Sequence, residues 1–296
     1  MIPFEHMKTF TDNLFLIDLD QPVTGFRQFI SSWILVSEGR AVVIDPGPVS
    51  TINLVLQALK DLDIDALSAV LLTHIHIDHA GGVGDLLEQY PGTPVLCHPK
   101  GIPHMADPTR LWEGSVKVLG DLAHTYGPIK PVPEDLLFYD TSVSIDGFNF
   151  SIIETPGHAS HHLSIVYEDI LFAGEALGTF MPGKKLYLRM ATPPVFSYNN
   201  FTESINRLDE LNIKTVCFAH YGLRNKPEEL YQTAREQLDR WIGIVEKAEN
   251  REEAVEEILK NDPVVQTLES FPVDIREREK YFIGNSVRGI ALSLGK

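Results

Sequence analysis

The sequence predicts an α/β fold on three observations. Short apolar runs alternate with amphipathic helical stretches through residues 13–219. Gly, Pro, Asn and Asp punctuate the junctions between them, and residues 225–296 read as helical throughout. Strand-like runs cover 13–18, 32–36 and 40–44, the last ending in the turn Asp45-Pro46-Gly47-Pro48. Ser50 stands where it can cap a helix with Ile52, Val55, Leu56 and Leu59 on one face. The apolar run 69–72 is the next strand, and Val83, Leu86, Leu87 and Tyr90 keep the spacing of a second helix. A short strand follows at 94–97. Residues 100–134 interrupt this rhythm: Asp107-Pro108 starts a helix carrying Leu111, Trp112, Val118, Leu119 and Leu122, and the prolines of 126–133 cannot continue it. That insertion serves either as part of a substrate wall or as packing. Strands resume at 142–145, turn at Asp146-Gly147, and continue at 149–153, 163–167 and 170–173, with Glu168-Asp169 between the last two. The pattern Asn200-x-x-Glu203 reads as a capped helix through Leu211, before a strand at 215–219. Beyond it, Pro227 lies early in one helix and Asn250-x-x-Glu253 opens another. Trp241, Ile244, Val245, Val255, Ile258 and Leu259 form apolar stripes there, read as core or as a subunit contact. A first domain of 1–224 and a helical extension of 225–296 are expected.

Charge narrows the partners. Lys plus Arg number 25 against 41 Asp plus Glu, a net charge of −16. Nucleic-acid affinity comes largely from clustered Lys and Arg, so a nucleic-acid partner is not expected. No apolar run reaches the roughly 18 to 20 residues of a membrane span, and there is no polybasic segment to hold a membrane surface. The start, Met1 to His6, lacks a basic region followed by an apolar one, so no secretory signal is read. Cys97 and Cys217 are far apart and fit buried apolar positions in a reduced, cytoplasmic protein. A small-molecule substrate is the expectation, and the C-terminal helices are compatible with a homodimer.

The most informative stretch is Thr73-His74-Ile75-His76-Ile77-Asp78-His79-Ala80-Gly81-Gly82. Imidazole and carboxylate are the usual ligands of zinc and its neighbours, and this run sets three His and an Asp at a strand end. His74 and His76, two apart on extended backbone, point to one side and can share a metal. Asp78 and His79 come as the chain turns and suit a second metal. Gly81 and Gly82 let the turn close into a helix.

The spacing Thr-His-x-His-x-Asp-His-x-Gly-Gly resembles the signature of the metallo-β-lactamase superfamily of metal-dependent hydrolases. The resemblance extends over roughly residues 10–222 and implies an αββα sandwich, here with a C-terminal helical extension. It implies that His158, in Thr155-Pro156-Gly157-His158, completes the first metal's set with His74 and His76. His220, in Ala219-His220-Tyr221-Gly222, would join Asp78 and His79 on the second. Glu175, in Ala173-Gly174-Glu175, occupies the position of the bridging carboxylate, which is Asp in most of the family. The longer side chain leaves three roles open: bridging, binding one metal, or leaving the second site loose. His162 is expected to hold the loop after His158 from behind. Asp45 is expected either to orient a ligand imidazole or to cap its own turn. His6, His98, His104, His124 and His161 lack a ligand pattern.

The implied chemistry uses two divalent ions, zinc first, with manganese or iron as alternatives. About 3.5 to 4 Å apart, such ions lower the pKa of a shared water until hydroxide exists near neutral pH. The expected reaction is attack of that bridging hydroxide on a small ester, thioester or lactone, with Asp78 orienting it while ligating. Tyr187, Arg189 and Tyr198, on the loop after Glu175, are expected substrate contacts, with a structural role for that loop as the competing reading. A secreted β-lactamase is disfavoured by the missing signal, and nucleic-acid processing by the charge. A flavodiiron-type reductase is disfavoured by the absence of a flavodoxin-like segment. Hydroxyacylglutathione hydrolysis stays open, although the acidic C-terminal helices lack a basic glutathione-binding pattern. The alternative reading is a mononuclear iron persulfide dioxygenase held by His74, His158 and Glu175. A catalytically inactive binding module on the same fold ranks below it.

Overall fold

The computed structural model describes residues 5–183 and 185–296; residues 1–4, on which part of the signal-sequence reading rests, lie outside them. The chain divides into two compact units. One takes the residues up to Pro22, Arg27–Ile153 and Ile165–Glu168; the other takes Val23–Phe26, Glu154–Ser164 and Asp169–Lys296.

The first unit begins with an antiparallel meander of β1 (Met7–Thr11), β2 (Leu14–Asp18), β3 (Ser31–Ser37) and β4 (Arg40–Ile44). β1 was not expected: four of its five residues are exposed, so it has no apolar signature and is defined only by pairing with β2. Helix α1 (Ile52–Asp61) buries Ile52, Val55, Ala58 and Leu59. Ser50 is not its cap, because a single 3-10 turn precedes the helix and the Ser50 hydroxyl donates to Gln21 Oε1 at 2.7 Å. The crossover returns into β5 (Leu67–Leu71), parallel to β4 and buried along its whole length. The four-residue helix α2 (Ile77–Ala80) and α3 (Val83–Gln89) lead to β6 (Val95–Leu96), parallel to β5. The insertion is three short helices rather than one stretch: α4 (Ile102–Ala106), α5 (Thr109–Leu119) and α6 (Asp121–Tyr126). Asp107 does start α5, accepting from Thr109 N at 3.2 Å and from its hydroxyl at 2.6 Å. β7 (Leu137–Phe138) closes the seven-stranded sheet in the order β1 to β7. β8 (Ser142–Ile145) and β9 (Phe148–Glu154) form the expected hairpin, with Asp146 and Gly147 both at positive φ, before β10 (Leu163–Tyr167).

In the second unit β11 (Ile170–Gly174) runs parallel to β14 (Thr215–Phe218), which pairs antiparallel with β15 (Leu223–Asn225). A two-stranded hairpin, β12 (Thr179–Met181) and β13 (Tyr187–Arg189), occupies what was read as a loop after Glu175. Helix α7 (Tyr198–Asp209) begins two residues before Asn200, with Ser197 at its N-cap position, so the Asn200 and Glu203 pair does not cap it. The other box holds: Asn250 Oδ1 accepts from Glu253 N at 2.9 Å, and Glu253 Oε2 accepts from Glu249 N at 2.7 Å. It opens α9 (Arg251–Asn261), which lies between α8 (Glu228–Lys247) and α10 (Val273–Ser293). Trp241, Val245 and Ile258 of the apolar stripes are buried core, and the Trp241 indole donates to Asp262 at 2.7 Å. Both cysteines are free and buried. Among the described residues no helix is long and apolar enough to cross a membrane.

Candidate metal centre

In the first unit the ligand run leaves the end of β5 as extended backbone. Ile75 is buried between His74 and His76, whose rings lie 4.6 Å apart edge to face. This is the same-side placement that a two-residue step in extended chain requires. The chain then coils at once: the amides of His79 and Ala80 both donate to His76 O, at 3.0 and 2.9 Å. That turn brings the His79 ring to 4.4 Å from His74 and its Nε2 to 3.5 Å from Asp78 Oδ2. Gly81 and Gly82 serve close approach rather than positive φ: a Cβ on Gly81 would strike Ile77 O, and one on Gly82 would lie 3.1 Å from Gly47 O.

Asp45 lies directly behind this run. It is buried at positive φ, which Asp tolerates better than most residues. Its Oδ1 accepts from Thr73 N at 2.8 Å and its Oδ2 from the Thr73 hydroxyl at 2.6 Å. The hydroxyl has one proton and gives it to Asp45, so Thr73 Oγ1 accepts from His74 Nδ1 at 3.0 Å. His74 is thereby set as the Nδ1–H tautomer, with the Nε2 lone pair available to a metal. Asp45 Oδ2 is also 3.6 Å from His79 Nδ1, and Asp45, His74 and His79 form a cluster of potential ligand atoms within 4.8 Å. Both Asp45 oxygens accept from Thr73, which ties this carboxylate to the residue that precedes His74. The turn itself is sewn to the ligand loop, Gly47 N donating to His79 O at 2.9 Å and Gly82 N to Gly47 O at 2.8 Å.

In the second unit His158, Glu175 and His220 are all buried. His158 Nδ1 lies 2.9 Å from Ala191 O. A carbonyl only accepts, so Nδ1 carries a proton and Nε2 is the nitrogen left to face Glu175 Oε2 at 2.9 Å, while His220 Nε2 lies 3.8 Å from Glu175 Oε1. An imidazole nitrogen and a carboxylate oxygen at 2.9 Å share either a proton or a metal ion. His220 is fixed through its backbone, Phe180 N donating to its carbonyl and Tyr221 N donating to Phe180 O at 2.9 Å.

His162 stands behind Glu175 in a directional chain. Glu175 N donates to His162 Nε2 at 2.9 Å, and His162 Nδ1 lies 2.8 Å from Thr155 Oγ1. The Thr155 hydroxyl passes to Ser164 Oγ at 3.0 Å, and Ser164 donates to Ala173 O at 3.2 Å. Both ring nitrogens of His162 are thus engaged with the fold.

The expected substrate contacts lie elsewhere than on a loop. Tyr187 and Arg189 belong to β13 and are buried, donating to Glu279 Oε2 at 2.7 and 2.8 Å. Arg278 Nε donates to the other Glu279 oxygen at 2.9 Å. Burial alone would raise the Glu279 carboxyl, but Arg189 and Arg278 outweigh it and hold it below the usual carboxylate range. The Tyr198 hydroxyl donates to Asp239 at 2.7 Å on the surface. Sequence reasoning missed Thr73, Ala191 and Glu279. Thr73 opens the motif and was a readable signal; the other two act across gaps that no local pattern spans. In the first unit α5 and α6 run beside α2, the helix that carries Asp78 and His79. Leu111, Trp112, Val116 and Leu119 of α5 face one way, and none of them is fully buried.

A family model described as the metallo-beta-lactamase superfamily matches residues 25–220. The chain belongs to that superfamily. It is accordingly an enzyme of the metal-dependent hydrolase type, and the αββα fold with a C-terminal helical region is as the motif implied. Among its superfamily relatives, a metallo-beta-lactamase fold-containing protein of Sulfurisphaera tokodaii is 33% identical over 205 residues, 67% of this chain and 75% of that one. A hydroxyacylglutathione hydrolase of Xylella fastidiosa is 32% identical over 200 residues, covering 65% of this chain and only 60% of that enzyme. The solved structure of an archaeal superfamily protein from Sulfolobus tokodaii matches at a TM-score of 0.71 with 27% identity, over 95% of this chain and 98% of that one. A Thermus thermophilus family protein shares the fold at 18% identity and a TM-score of 0.63, over 97% and 94% of the two chains.

Proposed function

We propose that this superfamily member is a dinuclear hydrolase of a small ester, thioester or lactone. The observation that carries the reading is the approach of His158 Nε2 to Glu175 Oε2 at 2.9 Å, an arrangement that fits two ligands of one cation. His74, His76 and His158 would hold the first ion and Asp78, His79 and His220 the second, with Glu175 contributing its carboxylate. The donor set of imidazoles and carboxylates suits zinc, and accepts manganese or iron. When bound, two such ions polarise an acyl oxygen and make water acidic enough to ionise near neutral pH. The chain's own part is to orient two of these imidazoles, His74 through Asp45 and Thr73 and His158 through Ala191. The Asp78 carboxylate is suited to orient the attacking water and to take its proton.

A thioester substrate is supported by the relatives named hydroxyacylglutathione hydrolases, since an acyl group on glutathione is a thioester. A net charge of −16 and two buried thiols favour a small-molecule substrate in the reducing cytoplasm. The half-covered stripe of α5 beside α2 favours a substrate with an apolar acyl portion. Trp112→Ala is then expected to raise KM for an octanoyl thioester about tenfold, with kcat and the acetyl analogue little changed. An equal loss on both substrates would remove α5 from substrate binding.

Elemental mass spectrometry of the purified chain, paired with a screen of thioesters, lactones and esters, tests the assignment. Close to two zinc or manganese ions per chain with hydrolysis of one class is expected. One iron per chain, with oxygen uptake on a persulfide and no hydrolysis, would overturn it.

A further inference from the structure

We propose that the C-terminal helix α10 is a positioning element for the metal ligand His158, acting through the segment 186–192. The inference rests on the reading of His158 as a ligand. In extended chain successive carbonyls point to opposite sides. Two even-numbered ones here are taken by side chains from the helical extension: Leu188 O accepts from Gln237 Nε2 at 3.0 Å, and Met190 O from Ser286 Oγ at 2.7 Å. With 188 and 190 turned to the extension, the carbonyl of Ala191 is turned the other way, where it accepts from His158 Nδ1. The Thr192 hydroxyl donates back to Ser286 O at 2.9 Å, so Ser286 grips both neighbours of Ala191. Gly289, one turn on, lets the helix backbone lie against the same segment, since a Cβ there would collide with the Thr192 and Pro193 carbonyls. Two turns before Ser286 the anchor is ionic, Glu279 holding Tyr187 and Arg189. The extension therefore fixes an acceptor that holds His158 Nδ1–H and keeps its Nε2 turned to the metal side.

Ser286→Ala tests this against a plain stability role. In the metal-free protein, the His158 Nδ1 proton should be hydrogen-bonded and slow to exchange with solvent in the wild type, and should exchange markedly faster in Ser286→Ala. Chelator competition should show one ion bound about tenfold more weakly in Ser286→Ala. Ser286→Thr, which keeps the hydroxyl, should restore both readouts. Trp241→Phe, which removes the bond to Asp262 in the same extension, should lower stability and leave both unchanged. Unchanged Nδ1 exchange and affinity in Ser286→Ala, or an equal loss in Trp241→Phe, would overturn the proposal. A wild-type chain that shows the protected Nδ1 proton yet takes up no metal would instead overturn the ligand reading, and the inference with it.

Discussion

His220→Ala is expected to leave a folded chain with one bound ion instead of two and to lower kcat/KM on the order of 10³-fold. The magnitude follows from losing a charge that stabilises the transition state by several kcal/mol, each 1.36 kcal/mol being about tenfold in rate. Folding should survive because the position is held by main chain: the Phe180 and Tyr221 amide bonds are independent of the imidazole. The stacked Phe180 and Phe218 rings, 4.8 Å apart, also remain. His104→Ala, on half-exposed α4, is the control and should keep full metal and full turnover. Metal content and kinetics on the two variants decide the matter, and wild-type turnover in His220→Ala would break the dinuclear assignment.

Glu279→Gln is the second large effect. The variant leaves two buried guanidiniums, Arg189 and Arg278, without their carboxylate, and breaking a buried pair in this way costs about 3–5 kcal/mol. The sign of the pH dependence follows from the lowered carboxyl. A group whose pKa falls on folding contributes stability that is fully present above its unfolded value, about 4.3. That contribution is lost as pH drops through the folded value. Wild-type stability should therefore fall with acid below about pH 4 more steeply than that of the variant. Denaturant unfolding at pH 7 and across the acid range measures both, and parallel acid profiles would remove Glu279 from the argument.

The parts legible in the sequence were those where chemistry and backbone lie close together. The run from Thr73 to Gly82 carries its own turn, and the Asp146-Gly147 and Asn250-to-Glu253 signals bind within a few residues. β1 was illegible because an exposed edge strand has no inner face to pattern; only its pairing with β2 defines it. Ser50 and Asn200 were good caps in the wrong places: a 3-10 turn precedes one helix, and the other starts two residues early. At the site, residue types announced His158, Glu175 and His220, but not what holds them. Ala191 acts through a carbonyl that any residue would supply, and Glu279 reaches Arg189 across ninety positions of chain. Such partners are chosen by tertiary packing, to which local spacing is blind.

The backbone stitches between the Asp45-Pro46-Gly47 turn and the residues from Thr73 to Gly82 bear on when the ion arrives. Gly47 N to His79 O, Gly82 N to Gly47 O, and the Thr73 amide to the Asp45 carboxylate are made without any imidazole nitrogen. These bonds would hold the loop in shape without an ion, in contrast to small domains whose fold is assembled around their zinc. An ion entering such a cradle would not need to be present at synthesis. The element it takes up would then follow supply at the time of loading as well as the donor set.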